Sequence, residues 1–220
     1  MIQEKLLRKG AEANLYYGYW FEKEVIFKIR IPKKYRNDEL DKIIRTTRTL
    51  NEARALIKVK NYGINVPQIF EIDPNNSTIV MKFIQGIKLK DILPELDDIK
   101  KKDYFKKIGE IIALLHINGH IHGDITTSNI IITKNEDIFL IDFGLHEYSD
   151  MIEDKSVDLH LLKRVLVSSH GSDYKICFKA FIEGYRSEYE RNNLNECKNI
   201  IKNIRVIETR GRYVSSEDRL

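Results

Sequence analysis

The first third of the chain is built from short runs of alternating apolar and polar residues, which is the pattern of β-strands. Three such runs, at residues 2–7, 13–20 and 24–31, are separated by a small-residue turn and a tight charged turn. Two more runs, at residues 68–72 and 78–83, flank the turn sequence Asp-Pro-Asn-Asn-Ser. The pattern therefore predicts a five-stranded sheet.

Between the third and fourth strands the apolar residues recur every three or four positions, which predicts an amphipathic helix. Asn37 or Asp38 can cap its first turn, and Gly63 is placed to end it. The predicted core-facing stripe of this helix consists of Leu40, Ile43, Ile44, Leu50, Ala53 and Ile57.

From residue 85 onward the apolar spacing is mainly helical, and the residues from Glu208 read as a polar tail. A turn at Asn135-Glu136-Asp137 predicts a hairpin of residues 130–133 and 138–141 within this half. Four helical stripes surround the hairpin, and they begin at Phe105, Val157, Tyr174 and Leu194.

This order of elements predicts an α+β fold of two lobes, with a cleft near residues 84–86 where a cofactor would bind. The predicted divisions are a β-rich N-lobe with one helix at 1–84, a larger, mainly helical C-lobe at 85–208, and a basic C-terminal tail at 209–220.

Composition narrows the class of protein further. The 220 residues are 42% hydrophobic, which is enough for a sizeable core, and no apolar run is long enough to span a bilayer. We therefore expect a soluble, cytoplasmic protein without a membrane segment, whose two cysteines, Cys177 and Cys197, are reduced core thiols. A formal net charge of +4 permits a nucleic-acid partner without requiring one.

The candidate chemistry lies in two segments on either side of the predicted hairpin. Asp124 is followed five residues later by Asn129, and the hairpin leads into Asp142-Phe143-Gly144. A phosphotransferase needs an aspartate to orient or deprotonate the attacking hydroxyl, an asparagine to hold a metal, and a second aspartate for the Mg²⁺ that bridges the ATP phosphates. The order and spacing of these segments predict an ATP-Mg²⁺ site in which Asp124 is catalytic and Asn129 and Asp142 bind the metal.

The N-terminal half supplies the remaining parts of such a site. Lys28 ends the run Val-Ile-Phe-Lys on the third strand, where it would be a catalytic residue that contacts the α- and β-phosphates. A helix glutamate should hold it, and Glu52, beside a small alanine, fits better than Glu39 in the first turn. The nucleotide loop is predicted at Lys9, Gly10, Ala11, Glu12 and Ala13, although it has one glycine instead of three.

Several features common in protein kinases are missing. Gly123 precedes Asp124 where an arginine is usual, Thr126 stands in place of a lysine facing the γ-phosphate, and no Ala-Pro-Glu follows the DFG segment. Only thirteen residues separate Gly144 from Asp158, which could tie its helix to the catalytic loop. We therefore predict a compact protein-kinase-like fold with no long activation segment and no peptide-docking platform.

Taken together, these segments resemble the small atypical kinase/ATPase subunit of the KEOPS (EKC) tRNA-modification complex, in a stand-alone archaeal-type form. The resemblance covers nearly the whole chain. It rests on residues 9–13, the run Lys34-Tyr35-Arg36, Arg48-Thr49 with Glu52-Ala53-Arg54, residues 122–129, residues 142–144, Glu153-Asp154-Lys155 with Val157-Asp158-Leu159, and Arg210-Gly211-Arg212.

The resemblance implies a Ser/Thr kinase or ATPase that supports threonylcarbamoylation of adenosine in tRNAs reading ANN codons. It also implies contacts with the transferase subunit of the KEOPS complex through the C-lobe and with a small accessory subunit through the N-lobe. Basic side chains that could touch tRNA or a partner are Lys33, Lys34, Arg36, Arg210 and Arg212.

Three alternatives stay open from the sequence. A stand-alone RIO-like protein kinase would be similarly short, although its metal loop usually departs from DFG. An aminoglycoside-type phosphotransferase shares the His-Gly-Asp loop but needs a larger helical substrate domain. A non-catalytic scaffold would not need Lys28, Asp124, Asn129 and Asp142 together. The phosphoryl acceptor, which could be water, a hydroxyl of the protein itself or a partner hydroxyl, cannot be read from the residues.

Overall fold

The protein was analysed as a computed structural model, which describes residues 2–190 and 193–210, with side chains from Lys5 onward. These residues form two compact units. The first unit contains the chain up to Gly86 together with residues 139–144, and the second contains residues 87–138 and the chain from residue 145. The segment 139–144 thus joins the N-terminal residues although it follows them by more than fifty positions.

The first unit is built on the predicted five-stranded sheet. Its strands are β1 at Ile2–Lys9, β2 at Ala13–Trp20, β3 at Lys23–Arg30, β4 at Ile69–Asp73 and β5 at Thr78–Lys82. They are antiparallel and lie in the order β1-β2-β3-β5-β4. The two-residue turn between β2 and β3 has Phe21 and Glu22 at φ angles of 44° and 63°, the conformation that suits a tight hairpin.

The inserted helix α1 runs from Asp38 to Asn61, and the side chain of Asn37 accepts hydrogen bonds from the backbone of its first turn. The predicted core-facing stripe is wrong in part, because Leu40, Ile43 and Ile57 are exposed. A different face packs inward, consisting of Asp41, Thr49, Glu52, Ala53, Ala55, Leu56 and Val59.

This choice of face has a packing reason. Ala53 is fully buried against Ile79 and Met81 of β5, where a larger side chain would hold the helix away from the sheet. The opposite side of the sheet has its own apolar cluster around Val25 and Phe27. The small residues of α1 therefore bring its backbone close to the sheet and allow its polar side chains to reach β3.

The second unit is mainly helical. Its central contact is between α3 and α5, which cross at two glycines. A Cβ at Gly109 would lie 2.1 Å from the carbonyl oxygen of Phe181, and one at Gly184 would lie 1.9 Å from that of Lys106. The elements from residue 86 onward are β6 at Gly86–Lys88, α2 at Leu89–Ile92, α3 at Asp98–Ile117, β7 at His120–Ile121, β8 at Ile130–Thr133, β9 at Ile138–Leu140, β10 at Glu147–Tyr148, α4 at Ile152–Ser169, α5 at Tyr174–Tyr189 and α6 at Leu194–Arg210.

Helix α6 is joined to α4 by buried lysines. Lys155 lies 2.6 Å from Glu196, and Lys163 lies 2.6 Å from Glu208. The predicted tail boundary is therefore wrong at its start, since residues 208–210 belong to α6 and the carboxylate of Glu208 is held inside the unit. The remainder of that prediction, including Arg212 and residues 213–220, lies outside the described residues.

Both cysteines are buried and free. Burial raises the pKa of Cys177 to about 12 and that of Cys197 to about 11, so both thiols are protonated at neutral pH. This agrees with the prediction of reduced core thiols. In the part of the chain that the structure describes, no helix combines the length and apolar character needed to cross a bilayer.

Candidate active site

A network of four charged side chains lies in the first unit. Lys28 extends from β3 and its Nζ is 2.5 Å from Oε1 of Glu52 on α1 and 2.6 Å from Oδ1 of Asp142. Arg30, two residues further along β3, places Nη2 at 2.7 Å from Oε2 of Glu52. The structure thus brings together Lys28, Glu52 and Asp142, three of the residues that the sequence predicted for one site.

The protonation state of Lys28 follows from its neighbours. Burial alone would lower the pKa of this lysine, but the negative charges of Glu52 and Asp142 outweigh burial and raise its pKa above the usual value. Lys28 is therefore charged at every physiological pH. A charged lysine is what contact with nucleotide phosphates requires.

Asp142 itself has a left-handed backbone, with a φ of 65°. Such a conformation is uncommon for a residue other than glycine, and residues of this kind concentrate at functional sites. The next-but-one residue, Gly144, leaves little room, because a Cβ there would lie 3.1 Å from Oδ1 of Asp142. The backbone of the DFG segment therefore directs the Asp142 carboxylate toward Lys28.

Two backbone carbonyls of the predicted nucleotide loop between β1 and β2 accept hydrogen bonds from residues that follow β3. The backbone of Ile31 donates to the carbonyl of Glu12 at 3.3 Å, and the amine of Lys33 donates to the carbonyl of Ala11. The side chain of Glu12 pairs with Arg48 of α1 at 2.9 Å. Within the loop, the N–H of Gly10 donates to the carbonyl of Ala13 at 3.0 Å. Contact of this loop with nucleotide phosphates stays a prediction.

The predicted catalytic loop lies in the second unit. Nδ2 of Asn129 donates to both the backbone carbonyl and the carboxylate of Asp124, at 3.0 and 2.8 Å. These bonds orient the Asp124 carboxylate and fix the direction of the Asn129 amide. They leave the amide oxygen of Asn129 as its atom for binding a cation.

Asp158 of α4 anchors the start of this loop, as its position in the sequence suggested. Its carboxylate accepts hydrogen bonds from the backbone N–H groups of His122 and Gly123, each at 2.9 Å. The ring of His116 lies between Asp158, at 3.2 Å, and the hydroxyl of Tyr185, at 2.9 Å. A buried polar chain therefore connects the catalytic loop to three helices.

Gly123 is required by its surroundings. It has a φ of 79°, and a Cβ at this position would lie 2.3 Å from the carbonyl oxygen of Leu145. The arginine that many protein kinases carry here could not fit without moving that backbone. The absence of arginine, noted from the sequence, thus has a steric reason.

Two side chains that contact the predicted site residues were not predicted from the sequence. Arg30 shares Glu52 with Lys28, and its spacing of two along a strand could have indicated this. His170, between α4 and α5, lies 3.1 Å from the hydroxyl of Thr127 in the catalytic loop. No sequence signal connects His170 with that loop.

The basic residues predicted to touch RNA or a partner have mixed surroundings. Arg36 lies 3.5 Å from the buried Asp41, whose pKa is lowered chiefly by its hydrogen bond with Arg45. Arg210 pairs at 2.8 Å with Glu153 at an exposed position. Lys33 binds the nucleotide loop as described, and Lys34 is exposed. Their role in RNA binding stays a prediction.

The donor atoms suit magnesium. Among the described residues, no cluster of three or more His, Cys, Asp or Glu side chains could hold a metal ion alone. Mg²⁺ does not need such a cluster, because it binds one or two protein oxygens and completes its shell with water and substrate phosphates. The carboxylate of Asp142 and the amide oxygen of Asn129 are hard oxygen donors of this kind.

A lysine on the third strand bound to a helix glutamate, with an Asp-x4-Asn loop and a DFG segment, defines a protein-kinase-like domain. Comparison with known families agrees, since residues 21–158 match the RIO domain. The KEOPS complex subunit Bud32 of Pyrococcus abyssi is 41% identical over 95% of this chain and 96% of its own length. The chain therefore belongs to the RIO-domain family and, within it, to the group that includes Bud32.

Other relatives are longer than this chain. The probable bifunctional tRNA threonylcarbamoyladenosine biosynthesis proteins of Methanococcus vannielii and Methanocaldococcus jannaschii are 43% and 41% identical over 97% of the chain. The chain covers only 37% and 38% of those proteins. The family resemblance inferred from the sequence is confirmed. The domain match also relates the chain to RIO-type kinases, and it does not test the alternative of a stand-alone RIO-like protein kinase.

Proposed function

We propose that this chain is the Mg-ATP-dependent kinase/ATPase subunit of a KEOPS-type complex and supports threonylcarbamoyladenosine formation in tRNA. The observation that carries the proposal is the buried Lys28–Glu52 pair at 2.5 Å with Asp142 on the same lysine. A relative that shares 41% of its residues is named as a subunit of that complex, which supports the choice among kinase-like functions.

Four of the predicted site residues have a direct chemical role in this proposal. Lys28 would contact the α- and β-phosphates, and Asp142 and Asn129 would each offer an oxygen ligand to Mg²⁺. Magnesium, when bound, neutralises charge on the phosphates during transfer. Asp124 orients the attacking oxygen, and its hydrogen bonds from Asn129 keep the carboxylate in one position.

The proposed partners are the transferase subunit through the C-terminal half, a small accessory subunit through the N-terminal half, and tRNA. Relatives named as bifunctional support a partner with a second activity, since this chain corresponds to little more than a third of each. With this role we propose a cytoplasmic location. A free RIO-type protein kinase is the second candidate, favoured by the domain match at residues 21–158.

One experiment separates the two candidates. ATP hydrolysis by the purified chain is measured alone, with the transferase partner, and with the partner and tRNA. We expect turnover to rise on each addition, because a subunit that, as the sequence predicts, has no peptide-docking platform would depend on its partners for the acceptor. Turnover that does not change on either addition, together with phosphoryl transfer to added protein substrates, would favour the free kinase.

The same assay tests the role of Asp124. We expect Asp124→Ala to lower turnover at least about a hundredfold while nucleotide affinity changes little, since general-base and positioning groups contribute on that scale. Asp103→Ala is the matched control, because that aspartate is exposed and, among the described residues, its ion pair is with Lys107 on the same helix. Near-normal turnover in Asp124→Ala would exclude the assigned role.

A further inference from the structure

Glu52 is unusual in being held by two buried cations instead of one. Its side chain is 1% exposed, and each of its two oxygens faces a different partner, Lys28 at 2.5 Å and Arg30 at 2.7 Å. Lys28 also binds Asp142, so its charge is divided between two carboxylates. Glu52 is the only carboxylate paired with Arg30 among the described residues. Lys28 is therefore shared between Glu52 and Asp142, whereas the ion pair of Arg30 is with Glu52.

The position of the Arg30 side chain next to Glu52 is fixed by the strand that carries it. Arg30 and Lys28 are two positions apart and lie on the same face of β3. Arg30 pairs with Ala13 of β2 and Lys28 pairs with Leu15, and the Arg30 side chain is 4% exposed. A guanidinium stays charged at every pH that the protein meets. Its Nε has no hydrogen-bond partner among the described residues, so the Glu52 carboxylate is the group that compensates its charge.

Nucleotide binding would change the partners of Lys28 but not those of Arg30. Phosphate oxygens would bind the Lys28 ammonium, and magnesium would bind the Asp142 carboxylate. A buried carboxylate left without a cation is strongly unfavourable, so Glu52 held by Lys28 alone would compete with the phosphates for that lysine. Arg30 removes the competition, because it keeps Glu52 paired throughout.

We propose that Arg30 is a positioning residue for the nucleotide site: it holds Glu52, and with it α1, so that Lys28 is free to bind phosphate without help from a phosphorylated loop. This inference rests on the proposed ATP-dependent function. One residue of β3 would then fix α1 in the position that this helix reaches in many kinases only on activation.

The first test compares Arg30→Met with Arg30→Lys in steady-state ATP turnover. Arg30→Met raises the KM for Mg-ATP about tenfold, because Lys28 becomes the only cation on Glu52, and Arg30→Lys recovers much of that loss. A purely structural role would lower the folded fraction and hence the apparent kcat, and would leave KM unchanged. An unchanged KM in Arg30→Met therefore overturns the proposal.

The second test asks whether Arg30 acts through Glu52. In a Glu52→Gln background there is no carboxylate to hold, so adding Arg30→Met changes the KM for Mg-ATP less than about twofold. A full tenfold effect in that background would show that Arg30 acts on the nucleotide directly, and the proposal would be wrong.

The third test does not depend on turnover. Hydrogen exchange is followed in nucleotide-free protein over the α1 peptide that contains Glu52, and Arg30→Met makes it about tenfold faster. Arg45→Met is the matched control: it removes a 2.6 Å ion pair with Asp41 on the same helix and a hydrogen bond to Ser77, but leaves Arg36 beside Asp41. We expect it to leave exchange at Glu52 and the KM unchanged. Equal exchange at Glu52 in wild type and Arg30→Met contradicts the proposal.

The outcomes for the two proposals are separable. A wild-type chain that hydrolyses no ATP, with or without the transferase partner and tRNA, contradicts the proposed function, while the hydrogen-exchange result still judges Arg30. An active wild type with an Arg30→Met variant of normal KM and normal exchange contradicts only the positioning role.

Discussion

At the residue scale, Gly123 shows how backbone geometry limits what the catalytic loop can contain. It combines a positive φ with a carbonyl oxygen 2.3 Å from where its Cβ would be. Gly63, at the end of α1, has nearly the same φ of 81°, but apart from its chain neighbours no described residue has an atom within 4 Å of its Cβ position. A substitution at Gly63 therefore tests backbone strain alone, whereas a substitution at Gly123 tests backbone strain together with a steric clash.

We predict that Gly123→Ala lowers the free energy of unfolding by about 2–4 kcal/mol, from the strained φ together with the clash at Leu145. Turnover should fall about tenfold or more, because the clash displaces the backbone next to Asp124. Urea unfolding and ATPase assays at one temperature measure both quantities.

Gly63→Ala is the control for this prediction. It should lower the free energy of unfolding by only about 1 kcal/mol, the cost of the left-handed backbone, and should leave turnover unchanged. If both variants behaved alike, the contact between Gly123 and Leu145 would not be the limiting factor.

At the element scale, helix packing depends on small residues whose role the hydrophobic pattern does not reveal. On α1, the apolar residues Leu40, Ile43 and Ile57 gave a convincing stripe but are exposed. The buried face instead uses Ala53 and Ala55 for close approach, with Glu52 directly before Ala53 in the sequence. In the second unit Gly109 and Gly184 do the same for α3 and α5.

We predict that Gly184→Ala destabilises the protein by about 2–3 kcal/mol, because its methyl group would meet the backbone of Lys106 and push α3 and α5 apart. The sign is informative, since alanine normally stabilises a helix interior by about 1 kcal/mol relative to glycine. Thermal or urea unfolding measures the change.

Gly171→Ala, between α4 and α5, is the comparison for this variant. Its Cβ would lie at an ordinary contact distance of 3.5 Å from the carbonyl oxygen of Val167, so little change in stability is expected. A neutral or stabilising Gly184→Ala would show that the two helices can separate without cost.

At the scale of the whole molecule, the buried His170 and the partly buried His160 contribute to how stability responds to pH. Burial lowers the pKa of His170 and outweighs the opposing effect of Asp173. Burial likewise lowers the pKa of His160, with Arg164 and Lys163 adding to the effect and Glu208 opposing it. Both side chains are therefore neutral in the folded protein at a pH where the unfolded chain begins to bind protons.

We predict that stability falls as the pH decreases from about 6.5 to about 5, because below the unfolded pKa of histidine the unfolded state binds more protons than the folded state. The slope should not exceed about 1.4 kcal/mol per pH unit for each such histidine. Urea unfolding at several pH values between about 7.5 and 5 checks this.

His170→Gln should reduce the slope, since glutamine does not titrate. The effect belongs to this pH window because carboxylates with lowered pKa values, such as Asp41, respond only under more acidic conditions. Stability that is constant from pH 7.5 to 5 would contradict the neutral state assigned to His160 and His170.

The amino-acid sequence alone determined the order of the elements and the chemistry of the candidate site. Strand alternation, turn residues and helix caps act over a few positions, so they could be read directly for all five strands of the sheet and for the helix that Asn37 caps. Motif spacing likewise predicted Lys28, Asp124, Asn129 and Asp142, because phosphoryl transfer demands particular side chains in a fixed order.

Only the tertiary structure decided which of those residues meet and which face of each helix is buried. The contact between Lys28 and Asp142 joins positions 114 residues apart, and Arg30 became part of the site only because Glu52 lay within its reach. Close packing at Ala53, Gly109 and Gly184 depends on the backbone of another element. Such contacts arise between segments distant in the chain, and no local pattern of residues encodes the distance between them.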